Sequence, residues 1–376
     1  MGRIFRCWGW TVLFGLWPSS FNFAHRYRPF TKKRKKKENM AQLVQGLVGL
    51  GLDAASNAAL LVGGTLVASF AIPTLVGLRF LTAVRRRFAT LRNPKGSVVI
   101  VTGAASGFGK QLTETLVAAG AYVFACDIDE AGLGVAFKGF PNVTTMRVDV
   151  SRTEDCKRLV AAAKDYCARN GAMLHGLVNN AGIAGKPGAV FEQPDQTIDA
   201  IFGVNILGII KLTRECLPLL SEGQDARILN ISSMAGYVSG RGLGLYSSTK
   251  FAVEAYSDAL RQEVPKGVRV IVFNPYFAET NIYRSLREKG AGSQSVLKDQ
   301  IEDFRAKVEK ENGKSVPGMM SCKYVTDQMF DALYSTYPKD RYVVCPTGIF
   351  CFIEAMQHAP NYFGLRDTLA VLLRRK

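Results

Sequence analysis

The chain has 376 residues, of which 48% are hydrophobic and 21% are charged, and its formal net charge at pH 7 is +17. One α/β domain of this kind requires about 250 residues, so the chain is longer than a single domain needs. Residues 1–95 contain sixteen lysines and arginines but two acidic residues, whereas the rest of the chain is close to neutral. Because no basic stripe interleaved with aromatic residues follows residue 95, we predict no nucleic-acid partner.

Residues 1–39 form a basic and aromatic segment. They include Trp8, Trp10 and Trp17, and residues 32–37 are an unbroken run of six positive charges. Residues 1–37 carry no acidic side chain, which is one property of a mitochondrial presequence. Consecutive lysines, the tryptophans and the scarcity of serine are atypical of such presequences, so a mitochondrial location is the second interpretation.

Residues 40–92 are predicted to be a membrane-anchor region with a hydrophobic helix. Residues 54–78 carry no charged side chain, and these 25 positions are enough to cross a hydrocarbon core of about 30 Å. Gly63, Gly64 and Pro73 are residue types more frequent in membrane helices than in soluble ones. A hydrophobic linker helix packed on the domain that follows is the alternative.

Basic residues on both sides of this apolar run predict its orientation. For a single span at residues 58–78, the cluster at residues 79–95 lies nearest the membrane and predicts a cytosolic C-terminal domain. A re-entrant hairpin of residues 40–52 and 54–78 would leave both basic clusters on the anionic cytosolic face. The endoplasmic reticulum membrane is the favoured location in both arrangements.

A dinucleotide-binding turn is predicted after the anchor region. Residues 97–101 are a short β-branched run typical of a buried parallel strand, the segment TGAASGFG follows at residues 102–109, and residues 110–119 are predicted to be helical. Gly103 permits a tight turn, Gly107 lets the backbone approach a phosphate, and Gly109 lets the helix pack on the strand. A helix N-terminus placed after such a turn favours a pyrophosphate.

Asp127 predicts which dinucleotide binds. It follows a second strand at residues 121–125 and lies 24 residues after Gly103, about where an acidic side chain binds the adenosine ribose hydroxyls. A carboxylate repels a 2′-phosphate, and the glycine turn contains no Arg or Lys. The sequence therefore favours NAD over NADP, with an ordinary turn residue as the alternative interpretation of Asp127.

Strands and helices alternate downstream. Strands are predicted at residues 143–148, 174–179, 227–231 and 268–273, and helices at residues 153–169, 197–220 and 244–263. This alternation predicts an α/β fold, a single Rossmann-like doubly wound parallel sheet within residues 96–345, preceded by the N-terminal hydrophobic helical anchor. Residues 346–376 are predicted to be a C-terminal tail.

Tyr246 and Lys250 are four residues apart, and Ser233 lies thirteen residues before Tyr246. On a helix this spacing places the two side chains on one face, with Cβ atoms about 5–6 Å apart. An ammonium that close favours the phenolate, so we expect it to lower the pKa of Tyr246 from about 10 towards neutrality. Such a tyrosine exchanges a proton with an alcohol or a carbonyl.

The eight cysteines include no Cys-x-x-Cys pair, and the three histidines are too few and too scattered for a metal site or a Ser-His-Asp triad. We therefore predict no metal. Buried free thiols are expected, as in a domain that faces a reducing compartment.

Five motifs in this order resemble the short-chain dehydrogenase/reductase family. They are the glycine segment at residues 102–109, the sequence NNAG at residues 179–182, Asn205, Ser233 and the Tyr246–Lys250 pair. The resemblance runs from about residue 97 to residue 342. The stretches HGLVNNAG at residues 175–182 and KFAVEAYSD at residues 250–258 are most similar to retinol dehydrogenases, related hydroxysteroid dehydrogenases and mitochondrial 3-hydroxybutyrate dehydrogenase.

The resemblance implies a role for each member of a catalytic set. Tyr246 would be the acid/base, and Lys250 would lower its pKa and hold the nicotinamide ribose. Ser233 would donate to the substrate oxygen. Asn205 would position a water that links Lys250 to solvent. The neighbouring Ser232 is not chosen, because the family's spacing from serine to tyrosine fits Ser233.

The resemblance also implies the cofactor contacts. Asp149 is similar to the family's adenine contact, whereas Asn179 is expected to tie strands together. The full set of expected cofactor contacts is Gly103, Ser106, Gly107, Phe108, Gly109, Asp127, Asp149, Val150, Asn180, Ala181, Gly182, Tyr246, Lys250 and Thr280.

Two features concern the region around the substrate. The family usually has Pro-Gly after its sixth strand, where this chain has Asn274, Pro275 and Tyr276. A tyrosine does not adopt positive φ cheaply, so we expect a different path for the loop beside the nicotinamide. Residues 280–320 are polar and contain an amphipathic stretch, and in the family such a segment forms the lid over the substrate.

The expected function is hydride transfer between NAD and the alcohol or carbonyl of a lipophilic, retinoid-like or steroid-like substrate. The predicted anchor motivates this choice, because such substrates partition into bilayers. A 3-hydroxybutyrate-type hydroxy acid is the alternative substrate, and a non-catalytic membrane scaffold is the alternative function. Expected partners are the substrate, the membrane and a second copy of the chain in a homodimer.

Overall fold

The computed structural model describes residues 84–278 and 319–346, together with residues 74, 77–78, 80–82, 280, 282, 295–299 and 302. The chain divides into two units, Met1–Thr82 and Ala83–Lys376. Residues 1–39 and most of the predicted anchor, lid and tail lie outside the described residues. Within the described ranges, no helix has the length and apolar character needed to cross a membrane.

The second unit is built on one parallel sheet of seven strands, as the alternation of elements predicts. In the sheet the strands follow the order β3-β2-β1-β4-β5-β6-β7, and every neighbouring pair is parallel. The strands are β1 (Val98–Thr102), β2 (Tyr122–Asp127), β3 (Val143–Arg147), β4 (Leu174–Asn179), β5 (Ala226–Ile231), β6 (Val268–Pro275) and β7 (Arg341–Val344).

Helices cover both faces of this sheet. The helices are α1 (Gly107–Ala118), α2 (Glu130–Ala136), α3 (Thr153–Asn170), α4 (Asp195–Phe202), α5 (Gly208–Ser221), α6 (Gly244–Glu263) and α7 (Cys322–Tyr334). One apolar cluster joins α1, α2 and α7 to the sheet, and a second joins α3, α5 and α6 to it. Because both faces are covered, every residue of β1 and β5 is buried.

The helix predicted at residues 197–220 is interrupted in the structure. A π-helical turn, Gly203–Leu207, separates α4 from α5. Apolar periodicity continues through the turn, so the sequence pattern did not show the break. The six predicted strands agree with the structure to within two residues at each end, whereas α2, α7 and β7 were not predicted.

The strand order fixes where a ligand binds. After β3 the chain crosses to the other side of β1, so β1 and β4 are neighbours whose following segments leave towards opposite faces. A crevice opens at the carboxyl ends of the strands at such a switch point. The glycine turn follows β1 and residues 180–182 follow β4, so both border this crevice.

Candidate active site

The glycine turn has a backbone that other residues would strain. Gly103 and Gly107 have φ values of +66° and +55°. A Cβ at Gly103 would lie 2.9 Å from the Asn180 amide nitrogen, and a Cβ at Gly109 would lie 2.1 Å from the Gly103 carbonyl oxygen. Asn180 Nδ2 donates to the carbonyls of Thr102 and Gly103 at 2.8 and 3.1 Å. The turn is thereby held against the end of β4.

Thr102 adds to this junction, although its role was not predicted. Its hydroxyl oxygen accepts from the backbone N–H groups of Asn180 and Ala181, both at 3.0 Å, and donates to the Val178 carbonyl at 3.2 Å. The signal available in the sequence was its place directly before the first glycine. One side chain thus fixes the two strand ends that border the crevice.

A first cavity of about 470 Å³ lies over this junction. Helix α1 begins here, and the side chain of its N-cap residue Ser106 makes no capping hydrogen bond. Eleven of the predicted cofactor contacts line the cavity, namely Gly103, Ser106, Gly107, Phe108, Asp127, Asp149, Val150, Asn180, Ala181, Gly182 and Thr280. Apolar residues that were not predicted complete the lining, namely Ile128, Val148, Ile183, Ala184, Val204 and Ile282.

Two carboxylates border the first cavity, and each also supports the backbone. Asp127 accepts from the backbone N–H of Ala105 at 2.9 Å and from that of Asp129 at 3.1 Å. Asp149 accepts from the backbone N–H and the hydroxyl of Ser151 at 2.9 and 2.7 Å. Among the described residues that line this cavity there is no lysine or arginine. The described lining of this cavity therefore carries two carboxylates and no side-chain cation.

A second cavity of about 370 Å³ adjoins the first, and Phe108, Asn180, Thr280 and Ile282 line both. Ser233, Tyr246 and Lys250 line the second cavity as polar members of its wall. Apolar side chains form most of the remainder, namely Phe108, Ile231, Met234, Ala235, Val238, Leu243, Pro275, Phe277, Ala278 and Ile282. The crevice thus contains two adjoining cavities, one at the glycine turn and one at Ser233, Tyr246 and Lys250.

The pKa of Tyr246 is higher than its spacing from Lys250 predicts. Burial raises the pKa of Tyr246 above its ordinary value, and a hydrogen bond with Ser233 opposes this rise. Its ring remains partly exposed where it lines the second cavity. Lys250 Nζ lies 5.6 Å from the ring centroid. The net pKa of Tyr246 is therefore raised, not lowered towards neutrality as its spacing from Lys250 predicts.

Lys250 is itself buried and held by a hydrogen bond. Its ammonium donates to the Ile231 carbonyl at 2.8 Å, and the residue is 4% exposed. Burial lowers the pKa of Lys250 to about 8, and the charge of Glu254 opposes this effect. The ammonium is consequently anchored to the end of β5.

Asn205 lies at the centre of the π-helical turn and is fully buried. Its amide nitrogen donates to the Ile183 carbonyl at 2.8 Å and to the Thr249 hydroxyl at 3.1 Å, while its oxygen accepts from the Ile183 N–H at 2.8 Å. A Cβ at Gly182 would lie 3.4 Å from the Asn205 oxygen and 3.8 Å from Lys250 Nζ. Asn205 and Gly109 support the two cavities from behind without lining them.

Two neighbours of the site have structural contacts. Asn179 Nδ2 donates to the side-chain oxygen of Asn230 at 2.8 Å, which links β4 to β5 and confirms the strand-tying role predicted for it. Tyr276 is accommodated without positive φ, because its backbone N–H donates to the Val344 carbonyl at 2.8 Å and extends the pairing of β6 with β7. The tyrosine that replaces the family's glycine therefore enters the wall of the second cavity.

The thiols and the described histidine are not part of the site. Cys126, Cys156, Cys167 and Cys216 are buried and free, as predicted. His175 stacks on Tyr334 with ring centroids 5.0 Å apart, and burial lowers its pKa. In the part of the chain that the structure describes, no three His, Cys, Asp or Glu side chains are grouped to hold a metal ion.

Comparisons with known proteins agree with this geometry. The family profile described as "short chain dehydrogenase" matches residues 97–291. The chain is 32% identical to retinol dehydrogenase 16 of Rattus norvegicus, with 77% of this chain and 92% of that protein covered. It is 33% identical to 17-beta-hydroxysteroid dehydrogenase type 6 of Mus musculus, with 82% and 98% covered. Mitochondrial D-beta-hydroxybutyrate dehydrogenase of Rattus norvegicus is 34% identical over 58% of this chain and 64% of its own.

A solved structure shares the fold. The crystal structure of a short chain dehydrogenase/reductase from Burkholderia phymatum in complex with NAD has a TM-score of 0.60 and 24% identity, and the match covers 70% of this chain and 94% of that one. The profile match, the identity over most of the chain and the parallel sheet lead to one conclusion. The chain belongs to the short-chain dehydrogenase/reductase family of oxidoreductases that act on CH–OH groups, and it is related to the retinol and hydroxysteroid dehydrogenases.

Proposed function

We propose that the protein is a membrane-anchored dehydrogenase that transfers a hydride between NAD and the alcohol or carbonyl of a lipophilic, retinoid-like or steroid-like substrate. One observation carries this proposal. Ser233, Tyr246 and Lys250 share a wall of the second cavity, whose other walls are mostly apolar. A volume of about 370 Å³ lies within the range of cavities that bind small molecules.

The first cavity fits NAD. The turn at Gly103 and Gly107 and the start of α1 would hold the pyrophosphate, because a helix N-terminus favours an anion. Asp127 would bind the adenosine ribose hydroxyls, and Asp149 with Val150 would border the adenine. When bound, NAD supplies the hydride acceptor for alcohol oxidation, and its reduced form supplies the donor for carbonyl reduction.

The remaining cofactor contacts follow the crevice towards the second cavity. Asn180, Ala181 and Gly182 would line the path of the nicotinamide half, because they stand at the end of β4 on the floor of the first cavity. Thr280 lines both cavities, which suits a contact with the carboxamide. Tyr246 and Lys250 would reach the nicotinamide ribose from the wall of the second cavity.

The chain's own residues would move the proton. In alcohol oxidation the Tyr246 phenolate takes the proton of the substrate hydroxyl, and in reduction its hydroxyl returns one. Ser233, which hydrogen-bonds to Tyr246, donates to the substrate oxygen and fixes its position. The Lys250 ammonium lies 5.6 Å from the Tyr246 ring centroid and would stabilise the phenolate as it forms during the reaction, against the opposing effect of burial. Asn205 would hold a water beside Lys250 through which the proton reaches solvent.

A preference for NAD over NADP belongs to the same proposal. The Asp127 carboxylate would repel a 2′-phosphate, and the described lining of the first cavity offers no cation to bind one. A lipophilic substrate is favoured over a small hydroxy acid for a related reason. A substrate carboxylate requires a cation, and among the described lining residues of the second cavity the cation is Lys250, which already donates to Ile231.

The location completes the proposal. The apolar run at residues 54–78 would anchor the protein in the endoplasmic reticulum membrane, with the domain at residues 96–345 in the cytosol. A lipophilic substrate would then reach the second cavity from the bilayer, and residues 280–320 would form the lid over it. A homodimer is the proposed assembly, and mitochondria are the second proposed location.

A substrate panel tests this function. Full-length protein in detergent is given NAD with retinol, with hydroxysteroids and with 3-hydroxybutyrate, and NADH formation is followed by absorbance. We expect turnover with retinol or a hydroxysteroid. NADH formation with 3-hydroxybutyrate alone would exclude a lipophilic substrate, and the absence of turnover with every alcohol would favour the scaffold alternative.

A further inference from the structure

Glu254 extends the catalytic face of α6 by one more turn. It stands four residues after Lys250 and is 8% exposed, so its carboxylate requires partners. One carboxylate oxygen accepts from Asn274 Nδ2 at 2.5 Å, and the other accepts from Arg341 Nε at 3.0 Å. Asn274 is the penultimate residue of β6, and Arg341 begins β7. The carboxylate thus joins α6 to two strands of the sheet.

Asn274 connects this carboxylate to the catalytic serine. It is fully buried, and its amide nitrogen donates to the Ser233 carbonyl at 3.3 Å while its oxygen accepts from the Tyr237 hydroxyl at 3.3 Å. A Cβ at Gly236 would lie 3.2 Å from a carboxylate oxygen of Glu254. The turn that begins at Ser233 therefore rests on the Asn274–Glu254 pair.

Glu254 also acts on Lys250 from one side. Burial lowers the pKa of Lys250 to about 8, and the Glu254 charge opposes it. The other groups that face the Lys250 ammonium are the Tyr246 ring on α6, the Ile231 carbonyl of β5 and, behind Gly182, the neutral Asn205 amide. Among the described residues, Glu254 is thus an anion placed to support the Lys250 charge, because the two residues are four positions apart on one face of α6.

We propose that Glu254 is a positioning residue of the reaction, which fixes the Ser233 backbone through Asn274 and supports the charge of the Lys250 ammonium. This role rests on the proposed dehydrogenase function. Ser233 and Lys250 then both respond to one carboxylate that lines neither cavity. Asp258 offers a matched comparison, because it also accepts from Arg341, at 3.0 and 3.1 Å, but makes no contact with Asn274 or Lys250.

Carbonyl reduction with NADH is the direction that isolates this effect. Tyr246 must then be protonated, and because its pKa is raised, Lys250 titrates first as the pH increases. Wild-type kcat should fall above a pH of about 8 as Lys250 loses its proton. Without the Glu254 charge the Lys250 ammonium is less stable, so Lys250 loses its proton at a lower pH. The decrease in kcat should therefore begin at a lower pH.

The experiment compares four variants of the full chain, using the carbonyl of whichever alcohol the wild type oxidises. For Glu254→Gln we expect kcat to fall by about tenfold or more. The pH above which kcat decreases, here called the pH limb, should shift to a lower value, and NADH affinity should stay within about threefold of wild type. Glu254→Asp should keep the limb near its wild-type position, because the charge remains. Asn274→Ala should lower kcat without moving the limb, and Asp258→Asn should change neither.

Distinct results would overturn the inference. An unmoved limb in Glu254→Gln, or the same kcat loss and limb shift in Asp258→Asn, would reduce Glu254 to a structural partner of Arg341. If Glu254→Gln shows no cooperative melting, the remaining variants decide, since a shifted limb in Glu254→Asp or an unchanged kcat in Asn274→Ala contradicts the proposal. A wild-type protein without reductase activity would instead contradict the proposed function.

Discussion

At the level of single residues, spacing predicts which side chains meet but not their charge. Tyr246 and Lys250 share a helix face, as four-residue spacing requires, yet the Lys250 ammonium is held by the Ile231 carbonyl from another element. Burial then shifts both groups towards their neutral forms. The position of that carbonyl depends on the packing of β5 against α6, which no local pattern contains.

Tyr246→Phe tests the acid/base. The change removes the proton-transfer group but keeps the ring, so we expect kcat to fall by at least about 10²-fold while NADH binding persists. Turnover and NADH fluorescence measure the two effects. Tyr256→Phe is the control, because Tyr256 lies on the same helix and its hydroxyl bonds to Thr213 away from both cavities. Equal losses in both variants would assign the effect to helix stability.

Asp127→Asn tests the cofactor preference with little change of shape. An asparagine oxygen can still accept from the Ala105 backbone N–H, which Asp127 does at 2.9 Å, so the glycine turn keeps its support. The negative charge is lost, and with it the repulsion of a 2′-phosphate. We expect the ratio of kcat/KM for NADP to that for NAD to rise by about tenfold, about 1.4 kcal/mol. A wild-type protein that already prefers NADP would contradict the role given to Asp127.

At the level of elements, local patterns predicted the parts that are locally determined. The β-branched run of β1, the glycine turn and the acid after β2 are close in sequence, and the structure brings them to one crevice. The π-helical turn around Asn205 was not predictable in this way. Asn205 in this turn hydrogen-bonds to Ile183 and Thr249, which are distant in sequence, while the apolar periodicity continues through the turn.

The Glu254 contacts were missed for the same reason. Arg341, which bonds to Glu254, lies 87 residues later in a strand that was not predicted, and Asn274 lies 20 residues away on β6. The sequence shows that Glu254 lies one helical turn after Lys250. It does not show the partners of Glu254, because these depend on the order of the strands in the sheet. Site residues that belong to sequence motifs were therefore predicted, and residues joined only through the sheet were not.

Gly109→Ala tests the packing of α1 on the turn. Its Cβ would lie 2.1 Å from a backbone carbonyl oxygen and 2.7 Å from Asn180 Nδ2, so the turn must move. We expect a lower melting temperature and weaker NADH binding. Gly134→Ala in α2 is the matched control, since its Cβ would meet nothing within 4 Å and alanine favours a helix by about 0.5–1 kcal/mol. Similar melting and binding in the two variants would show that Gly109 is not required for close packing.

At the level of the whole molecule, the excess positive charge and the two cavities lie in different parts of the chain. The excess of positive charge lies in residues 1–95, whereas both cavities belong to the unit Ala83–Lys376. Anionic membrane surfaces attract basic segments by up to about 1 kcal/mol for each Lys or Arg. In the proposed function, the N-terminal part determines the location of the protein and the domain with the sheet carries out the reaction.

The orientation of the proposed anchor can be tested in sealed microsomes. We expect the protein to resist carbonate extraction from microsomes, and we expect protease to digest residues 96–376 in sealed microsomes, because the cluster at residues 79–95 keeps the domain cytosolic. Release by carbonate would exclude an integral anchor, and protection of residues 96–376 would reverse the orientation.

Replacing Arg85, Arg86 and Arg87 by glutamine separates a single span from a re-entrant hairpin. A single span depends on the charge next to its C-terminal end, so the protease-protected fraction should increase in this variant. In a hairpin both ends emerge on the same side, and the run at residues 32–37 still holds them there, so the domain stays accessible. Replacing residues 32–37 instead is the control, because a single span oriented by residues 79–95 should keep its direction when the distant cluster is removed.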